Sequence, residues 1–503
     1  MKTIYRAARV HTHGYPETGE WLLVDGRHVQ RVGVGEPPDA DRVVDLAGAT
    51  IVPGFIDCHV HLTATGMSLS NGDVEAATSS EEVLEAARRR SPDGAGTLFL
   101  LGYDESTWRQ PDLPTLADLD EASPRPLVIR RADGHMALAN RAALEAADVL
   151  DEPGIARDAA GEPTGQVTRS ANDAIGRWVM ASLDDHERQD LQLQAASVAA
   201  ARGVTSVHEM SMPHVAGDAD LHVMLGHHAR LPVDAVPIVA TTDLAAVIGH
   251  GMAAVGGDLP VDGSIGARTA WLGEPYLDGD EGAGVGYLAD DELVEFFHGG
   301  HAAGLQVGVH AIGDRTIDQV LAAWERVYTA LDSRERRHFR ARRHRIEHFE
   351  LVSGSQVERA AMLGLAASVQ PAFDATWGGS GGLYEQRLGR DRAQGMNPFR
   401  TMLERGVEVG VGSDSPITLL DPMRAVEALE RHHDPSQRLT RSEAIRLHTI
   451  GSARVGHQDK KGALGPGMHA DFAAYDADPH TEPSLEGLRP VLTVSLGREV
   501  YVA

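Results

Sequence analysis

From about residue 185 the chain repeats one hydrophobic pattern: apolar positions at helical spacing, a closing glycine, a short apolar run, then a polar residue where that run ends. The first copy is "DDHERQDLQLQAASVAAARG" followed by "VTSVHE", with Gly203 as the helix stop. A second is "DDELVEFFHGGHAAG" then "LQVGVHAIGD", stopping at Gly304; "GSQVERAAMLG" with "LAASVQP" and "NPFRTMLERG" with "VEVGVGSDSP" repeat it twice more. Helices alternating with strands at this spacing predict βα units and a parallel sheet. The strand candidates are "FIDCHVH", "VTSVHE", "PVDAVPIVA", "DLPVDGSIG", "VGVHAIGD", "RIEHFE", "AASVQP" and "VEVGVGSD". Eight units fit an α/β fold of the (β/α)8, TIM-like barrel type, with its active site at the C-terminal strand ends. A doubly wound open sheet is the alternative.

The two ends of the chain follow another pattern. Short β-like runs separated by Gly and Pro fill the first fifty residues and recur after residue 458, as in "GALGPGMHADFAAYDADP" and "PVLTVSLGREVYVA". They are expected to pair into one small β-domain built from both termini. The segment from about 66 to 180 also breaks the rhythm, with "DGHMALANRAAL" and "GEPTGQVTRSA" in a Pro-, Asp- and Arg-rich stretch. It reads as an insertion after the first strand, either shaping a substrate pocket over the barrel mouth or forming an elaborated surface subdomain.

Composition narrows the class. A chain of 503 residues with 42% hydrophobic content can bury a large core, and a formal charge of −27 argues against nucleic acid and anionic membrane surfaces as partners. One cysteine excludes an internal disulfide framework and suits a reducing cytosol. The N-terminal stretch has no apolar h-region, and no apolar run is long enough to span a bilayer, so a cytoplasmic location is expected.

The chemistry sits at the strand ends. In "FIDCHVH" the spacing places His59 and His61 on one strand face, a half-site for a divalent metal or else a strand end with two partly exposed histidines. The other strand ends carry His208 and Glu209, Asp258 and Asp262, His310, His348, Gln370 and Asp414. One strand-end histidine is commonly structural. Five ligand-type residues on four strands of one barrel face point to a metal centre.

"GFIDCHVH", "VHAIGD", "RIEHFE" and "GSDSP" resemble the metal-binding strands of the amidohydrolase superfamily, and "DGHMALAN", "DGSIGARTAWL" and "GALGPGMHADFAAYD" resemble its amidohydrolase-3 branch, which includes N-substituted formamide deformylases. The resemblance runs from about residue 45 to 480. It implies a metal-dependent barrel over residues 53–458 and a β-sandwich assembled from 1–52 and 459–503. It also implies that His59, His61 and Asp414 hold one metal, that His310 and His348 hold a second in binuclear members, and that Asp414 is the general base and acid. A carboxylate in that place can take a proton from the attacking water and return it to a leaving amine.

One departure is specific to this chain. Many relatives bridge two metals with a carboxylated lysine on the fourth strand, but here the only lysines are Lys2, Lys460 and Lys461, and Asp258 stands in that place. A site bridged by Asp258 or another carboxylate and a mononuclear site both stay open, with Glu209 and Asp262 in reserve as loop caps or histidine-orienting groups. The resemblance also places Gly313 where deaminase-like members carry a proton-shuttling glutamate, which argues against deamination.

His135, Arg268, Trp271 and Phe373 are the candidates for substrate contact, with His135 equally readable as a structural histidine and a carboxylate pair the commoner role for an arginine such as Arg268. Cys58 is expected to pack away from the metals. The basic run "RERRHFRARRHR" (334–345) reads as a solvated helix face, or as a contact between subunits of a homo-oligomer. The expected protein is a metal-dependent hydrolase in which metal-bound hydroxide cleaves a C–N bond in a small-molecule amide, formamide, carbamate or cyclic amide. One or two zinc ions are expected, with manganese or iron as alternatives. An ester or other carbonyl substrate, or a catalytically idle binding barrel, are the competing readings.

Overall fold

The computed structural model describes residues 1–46, 48–71, 74–91, 96–132, 134, 136–279 and 282–503. The chain divides into two compact units, one of residues 1–61, 196–211 and 228–503 and the other of 62–195 with 212–227.

The first unit contains eight parallel strands: β1 (Phe55–Val60), β2 (Val204–Ser211), β3 (Asp234–Val239), β4 (Ala254–Val255), β5 (Gln306–Ala311), β6 (Arg345–His348), β7 (Ala366–Val369) and β8 (Glu408–Val411), neighbours in that order. The two edges meet. Asp414 N donates to His59 O at 2.8 Å and His61 N donates to Ser415 O at 3.0 Å, closing the sheet into a (β/α)8 barrel. Asp57 fastens the same seam, its Oδ1 accepting from Ser413 N at 2.9 Å and His59 N at 3.2 Å. The seam requires glycine at 412, where a Cβ would lie 2.6 Å from His59 N.

β1 and β2 are buried at every position, as parallel strands covered on both faces must be. The helices expected from apolar spacing are present at Asp185–Ala201, Asp290–Ala302, Gly354–Leu363 and Phe399–Glu404. Past each of them, Gly203, Gly304, Gly364 and Gly406 take φ values of 84, 78, 71 and 81°, the left-handed region that glycine enters without a Cβ clash.

The fourth strand differs from expectation. It is Ala254–Val255, not the "DLPVDGSIG" segment at 258–266, so Asp258 lies on the bend beyond the strand end. Gly256 and Gly257, with φ of 85 and 54°, turn the backbone out of the extended path. Pro260 has no N–H for a ladder and keeps only an isolated bridge to His310.

Strands from both ends of the chain share one eight-stranded mixed sheet. Five come from the start, at Lys2–His11, Thr18–Asp25, His28–Gly33, Arg42–Asp45 and Thr50–Pro53. Three come from the end, at Phe472–Tyr475, Pro490–Ser495 and Arg498–Val502. Thr50–Pro53 runs antiparallel to Phe472–Tyr475 with Val52 opposite Ala473, which ties the ends together. Val10, Leu22, Ile51, Phe472 and Val494 are buried in its core. Gly54 then leads straight into β1, at a point where a Cβ would meet the Thr205 side chain at 2.3 Å.

The second unit holds a five-stranded sheet in the order Ile155–Arg157, Pro163–Thr168, Met136–Ala139, Leu127–Arg131, Leu98–Tyr103. Its buried Arg188 pairs with Asp220 at 3.2 Å, and Thr63 donates to the same carboxylate at 2.6 Å. Among the described residues no helix is long and apolar enough to cross a membrane.

Two glycine substitutions separate the demands of the seam from ordinary helix propensity. Gly412→Ala is expected to destabilise the barrel by about 1–3 kcal/mol through overpacking against His59. Gly354→Ala, on a helix where a Cβ meets nothing within 4 Å, is expected to be neutral or stabilising. Thermal and denaturant unfolding of the two variants checks this; equal midpoints would contradict it.

Candidate active site

Four histidines and two carboxylates converge at the C-terminal mouth of the barrel. His59 and His61 come from the end of β1, Asp258 from the bend after β4, His310 and His348 from β5 and β6, and Asp414 from the loop after β8. Each ring has one nitrogen on an acceptor outside the cluster. His59 Nδ1 lies 3.0 Å from Glu347 Oε2, and His61 Nδ1 lies 2.9 Å from Met210 O. His348 Nδ1 is 2.8 Å from Gln370 Oε1, and His310 Nε2 is 3.2 Å from Gly263 O. An N–H donated outward leaves the other nitrogen of every ring facing inward, the arrangement that orients metal-binding histidines.

The inward atoms meet the two carboxylates. His61 Nε2 is 3.1 Å and His59 Nε2 3.4 Å from Asp414 Oδ1. Asp258 addresses one histidine pair with each oxygen: Oδ1 lies 3.1 Å from His310 Nδ1 and 3.2 Å from His348 Nε2. Its Oδ2 lies 3.6 Å from His61 Nε2 and 3.8 Å from His59 Nε2. Two donors bonded at about 2.0–2.2 Å to one tetrahedral ion stand about 3.3–3.6 Å apart, so these separations are of coordination size. His59 Nε2 and Asp414 Oδ1 are both buried, and neither has a hydrogen-bond partner among the described residues. A divalent cation between those two atoms would satisfy both.

The electrostatics agree. Burial works against charge on the His59 ring, yet Asp414 and Asp258 outweigh it and hold its pKa well above the ordinary value. The same contest, decided by Asp258, puts His310 at about 9. Asp258 and Asp414 stay ionised despite burial, held well below the usual carboxylate range by the facing histidines. The centre is therefore built for positive charge. His348, Phe349 and Asp414 also take positive φ values of 70, 53 and 53°, backbone strain of a kind concentrated at functional sites.

Beneath the mouth a buried polar column supports His59. Glu347 is held by Arg345 through two hydrogen bonds, Nε to Oε1 at 2.7 Å and Nη2 to Oε2 at 2.9 Å. Arg345 also donates to Cys58 O at 2.7 Å and to His208 Nδ1 at 3.1 Å, and His208 Nε2 lies 3.1 Å from Gln458 Oε1. Burial drives the His208 pKa down to about 3, so the ring is neutral and accepts from Arg345. Burial raises and Arg345 then lowers the Glu347 pKa, leaving it at about 2, a carboxylate facing His59.

This column corrects two readings of the sequence. Arg345, the last residue of the basic run, is buried on β6 rather than on a solvated helix; that helix is Ser333–Ala341. His208 belongs to the column, not to the cluster at the mouth. Arg345 and Glu347 themselves were missed, although an Arg and a Glu two apart in a strand of a buried parallel sheet are a usable signal.

The remaining candidates fall in separate places. Asp262 accepts from Gly313 N at 2.8 Å, Trp271 N at 2.9 Å and Ile312 N at 3.1 Å, and its Oδ1 stands 3.7 Å from His310 Nε2. Glu209 is buried on β2. Arg268 pairs with Asp278, Nη2 to Oδ2 at 2.7 Å, and the Trp271 ring is covered by the Arg315 guanidinium at 4.7 Å. Phe373 is buried with its ring nearly parallel to that of His348, centroids 6.1 Å apart. Cys58 is buried, its Sγ 3.2 Å from Ser368 Oγ. His135 lies outside the described residues.

A closed (β/α)8 barrel with histidine and aspartate donors gathered at its C-terminal mouth is the architecture of a metal-dependent hydrolase. The profile of the amidohydrolase family matches residues 42–501, and the chain belongs to that family. It is 30% identical to the putative amidohydrolase YtcJ of Bacillus subtilis, over 92% of this chain and 91% of the other. It is 26% identical to an N-substituted formamide deformylase of Arthrobacter pascens, over 91% and 90%. An uncharacterized metal-dependent hydrolase from Pyrococcus horikoshii superposes with a TM-score of 0.80 at 27% identity, covering 96% of this chain and 99% of that one.

Glu347→Gln keeps an acceptor for Arg345 but removes the charge that orients His59. Zinc affinity is expected to fall about 10–100-fold with the fold intact. Competition with a chromophoric chelator measures it; an unchanged affinity would show that the column plays no part in the cluster.

Proposed function

We propose that this mouth cleaves a carbon–nitrogen bond in a small amide-type substrate, with water as nucleophile and Asp414 as proton carrier. The observation that carries the reading is the buried Asp414 Oδ1, without a hydrogen-bond partner among the described residues, beside the inward nitrogens of His61 and His59 at 3.1 and 3.4 Å. His59, His61 and Asp414 would hold one divalent ion. Asp258, His310 and His348 would hold a second, with Asp258 shared between them in place of the absent lysine. Imidazole and carboxylate donors suit zinc. A bound ion supplies Lewis acidity toward a carbonyl oxygen and lowers the pKa of water toward ~7.

The chain's own residues do the rest. Glu347, Met210 O and Gln370 hold three rings in the tautomer that presents Nε2 to the centre. The Asp414 carboxylate takes a proton from the attacking water and delivers it to the departing nitrogen, which an amide requires because an amide anion is a very poor leaving group. Phe373 lays an apolar ring beside His348, so a substrate with a hydrophobic substituent near the carbonyl is favoured. The Arthrobacter pascens relative supports N-substituted formamides as the first class to try, with carbamates and cyclic amides next. Gly313 offers no carboxylate where a deaminase would need its proton shuttle, which supports amide cleavage over hydrolytic deamination of a heterocycle.

A panel of these substrates, assayed before and after chelation, tests the proposal. Activity is expected to vanish with the metal and to return with zinc. Asp414→Asn is expected to lower kcat by about 10²–10⁴-fold. Full turnover after chelation, or in Asp414→Asn, would overturn the reading.

A further inference from the structure

A second cluster in the first unit repeats the donor arrangement of the barrel mouth. Asp374 lies in the helix Pro371–Trp377 after β7, and His432 and His433 follow the helix Pro422–Glu430 after β8. His433 Nδ1 is 2.5 Å and His432 Nε2 is 3.4 Å from the same oxygen, Asp374 Oδ1. One ligand atom from each of the three residues lies within 4.8 Å of the others.

The far side of the His433 ring is set as a metal ligand requires, its Nε2 lying 3.3 Å from Gln394 O and able to donate to it. His432 Nδ1 accepts from Asp434 N at 3.0 Å, which leaves that ring's proton on Nε2, facing Asp374. Asp374 Oδ2 accepts from His433 N at 3.2 Å, which fixes the direction of Oδ1. The His432 side chain is 0% exposed, and its Nε2, aimed at Asp374, has no hydrogen-bond partner among the described residues. A cation would take the place of the buried proton between this ring nitrogen and the carboxylate, which no good hydrogen bond now joins.

We propose that Asp374, His432 and His433 form a second, non-catalytic site for zinc or another late first-row divalent cation. Two imidazoles and one carboxylate make an N2O donor set of the kind such ions prefer, with water free to take the fourth position. At 2.5 Å the His433–Asp374 contact is a hydrogen bond. An ion bonded to both atoms at about 2.0–2.2 Å would part them by several tenths of an ångström. The protons on His433 Nδ1 and His432 Nε2 then leave to solvent, and both nitrogen lone pairs turn to the metal. The site joins the segments after β7 and β8, and Asp374 directly follows Phe373, whose ring faces His348. A bound ion therefore clamps the rim of the mouth without touching substrate.

Zinc equivalents per chain, measured by equilibrium dialysis and elemental analysis, test this in wild type, Asp374→Asn, His432→Ala/His433→Ala and His61→Ala/Asp414→Ala. The two rim variants are expected to bind one equivalent fewer than wild type, while the catalytic-site variant keeps the rim equivalent and loses metal elsewhere. Asp374→Asn preserves shape and guards against misfolding; in EDTA its Tm should match that of wild type, and zinc should raise it less. Equal zinc content in wild type and Asp374→Asn would overturn the rim site. Undiminished zinc in His61→Ala/Asp414→Ala would count against the catalytic centre instead, so the two failures are distinguishable.

Discussion

Two backbone hydrogen bonds, Asp414 N–H to His59 O and His61 N–H to Ser415 O, close the barrel and bring the first strand against the last. Everything at the mouth depends on that closure. It sets the His59 and His61 rings beside Asp414, residues from opposite ends of the barrel sequence. Gly412 allows the approach, and Asp57 secures it by accepting from backbone N–H groups on both sides. Binding geometry and fold stability are thus one problem at this seam, because whatever separates β1 from β8 also separates the donors.

The barrel core carries an unusual load of charge. Arg345, Glu347 and His208 occupy space that other barrels fill with branched apolar residues. Buried ion pairs rarely add net stability over well-packed apolar groups, so the Arg345–Glu347 pair is better understood by what it holds. It presents a carboxylate to His59 Nδ1 and leaves Nε2 for the mouth. The same outward donation recurs at His61, His348 and His310, and again at His433. An acceptor behind each ring is the rule at the mouth, and His433 follows it in the second cluster.

The parts of this arrangement that were legible in the sequence are those carried by short-range periodicity. The two-residue spacing of His59 and His61, the helix–glycine–strand repeats and the lysine count all survive translation into structure. The fourth strand was not legible, because a two-residue strand leaves no hydrophobic period and Gly256 and Gly257 break the run before Asp258. Arg345 was hidden by its neighbours: a run of arginines looks solvated until the last of them enters a strand. The outer partners of the histidines, such as Met210 O and Gly263 O, are backbone atoms that no residue pattern reveals. The Asp374–His432–His433 cluster depends on the helix after β7 meeting the segment that follows the helix after β8, which only tertiary structure brings about.

The central claim is that the mouth is a metal centre in which Asp258 serves both histidine pairs. The most direct measurement is anomalous diffraction at the zinc edge from crystals grown with zinc. The account predicts one scatterer bonded to His59, His61 and Asp414 and a second bonded to His310 and His348, with Asp258 between them. An anomalous map with no scatterer within bonding distance of His59 Nε2 would contradict it.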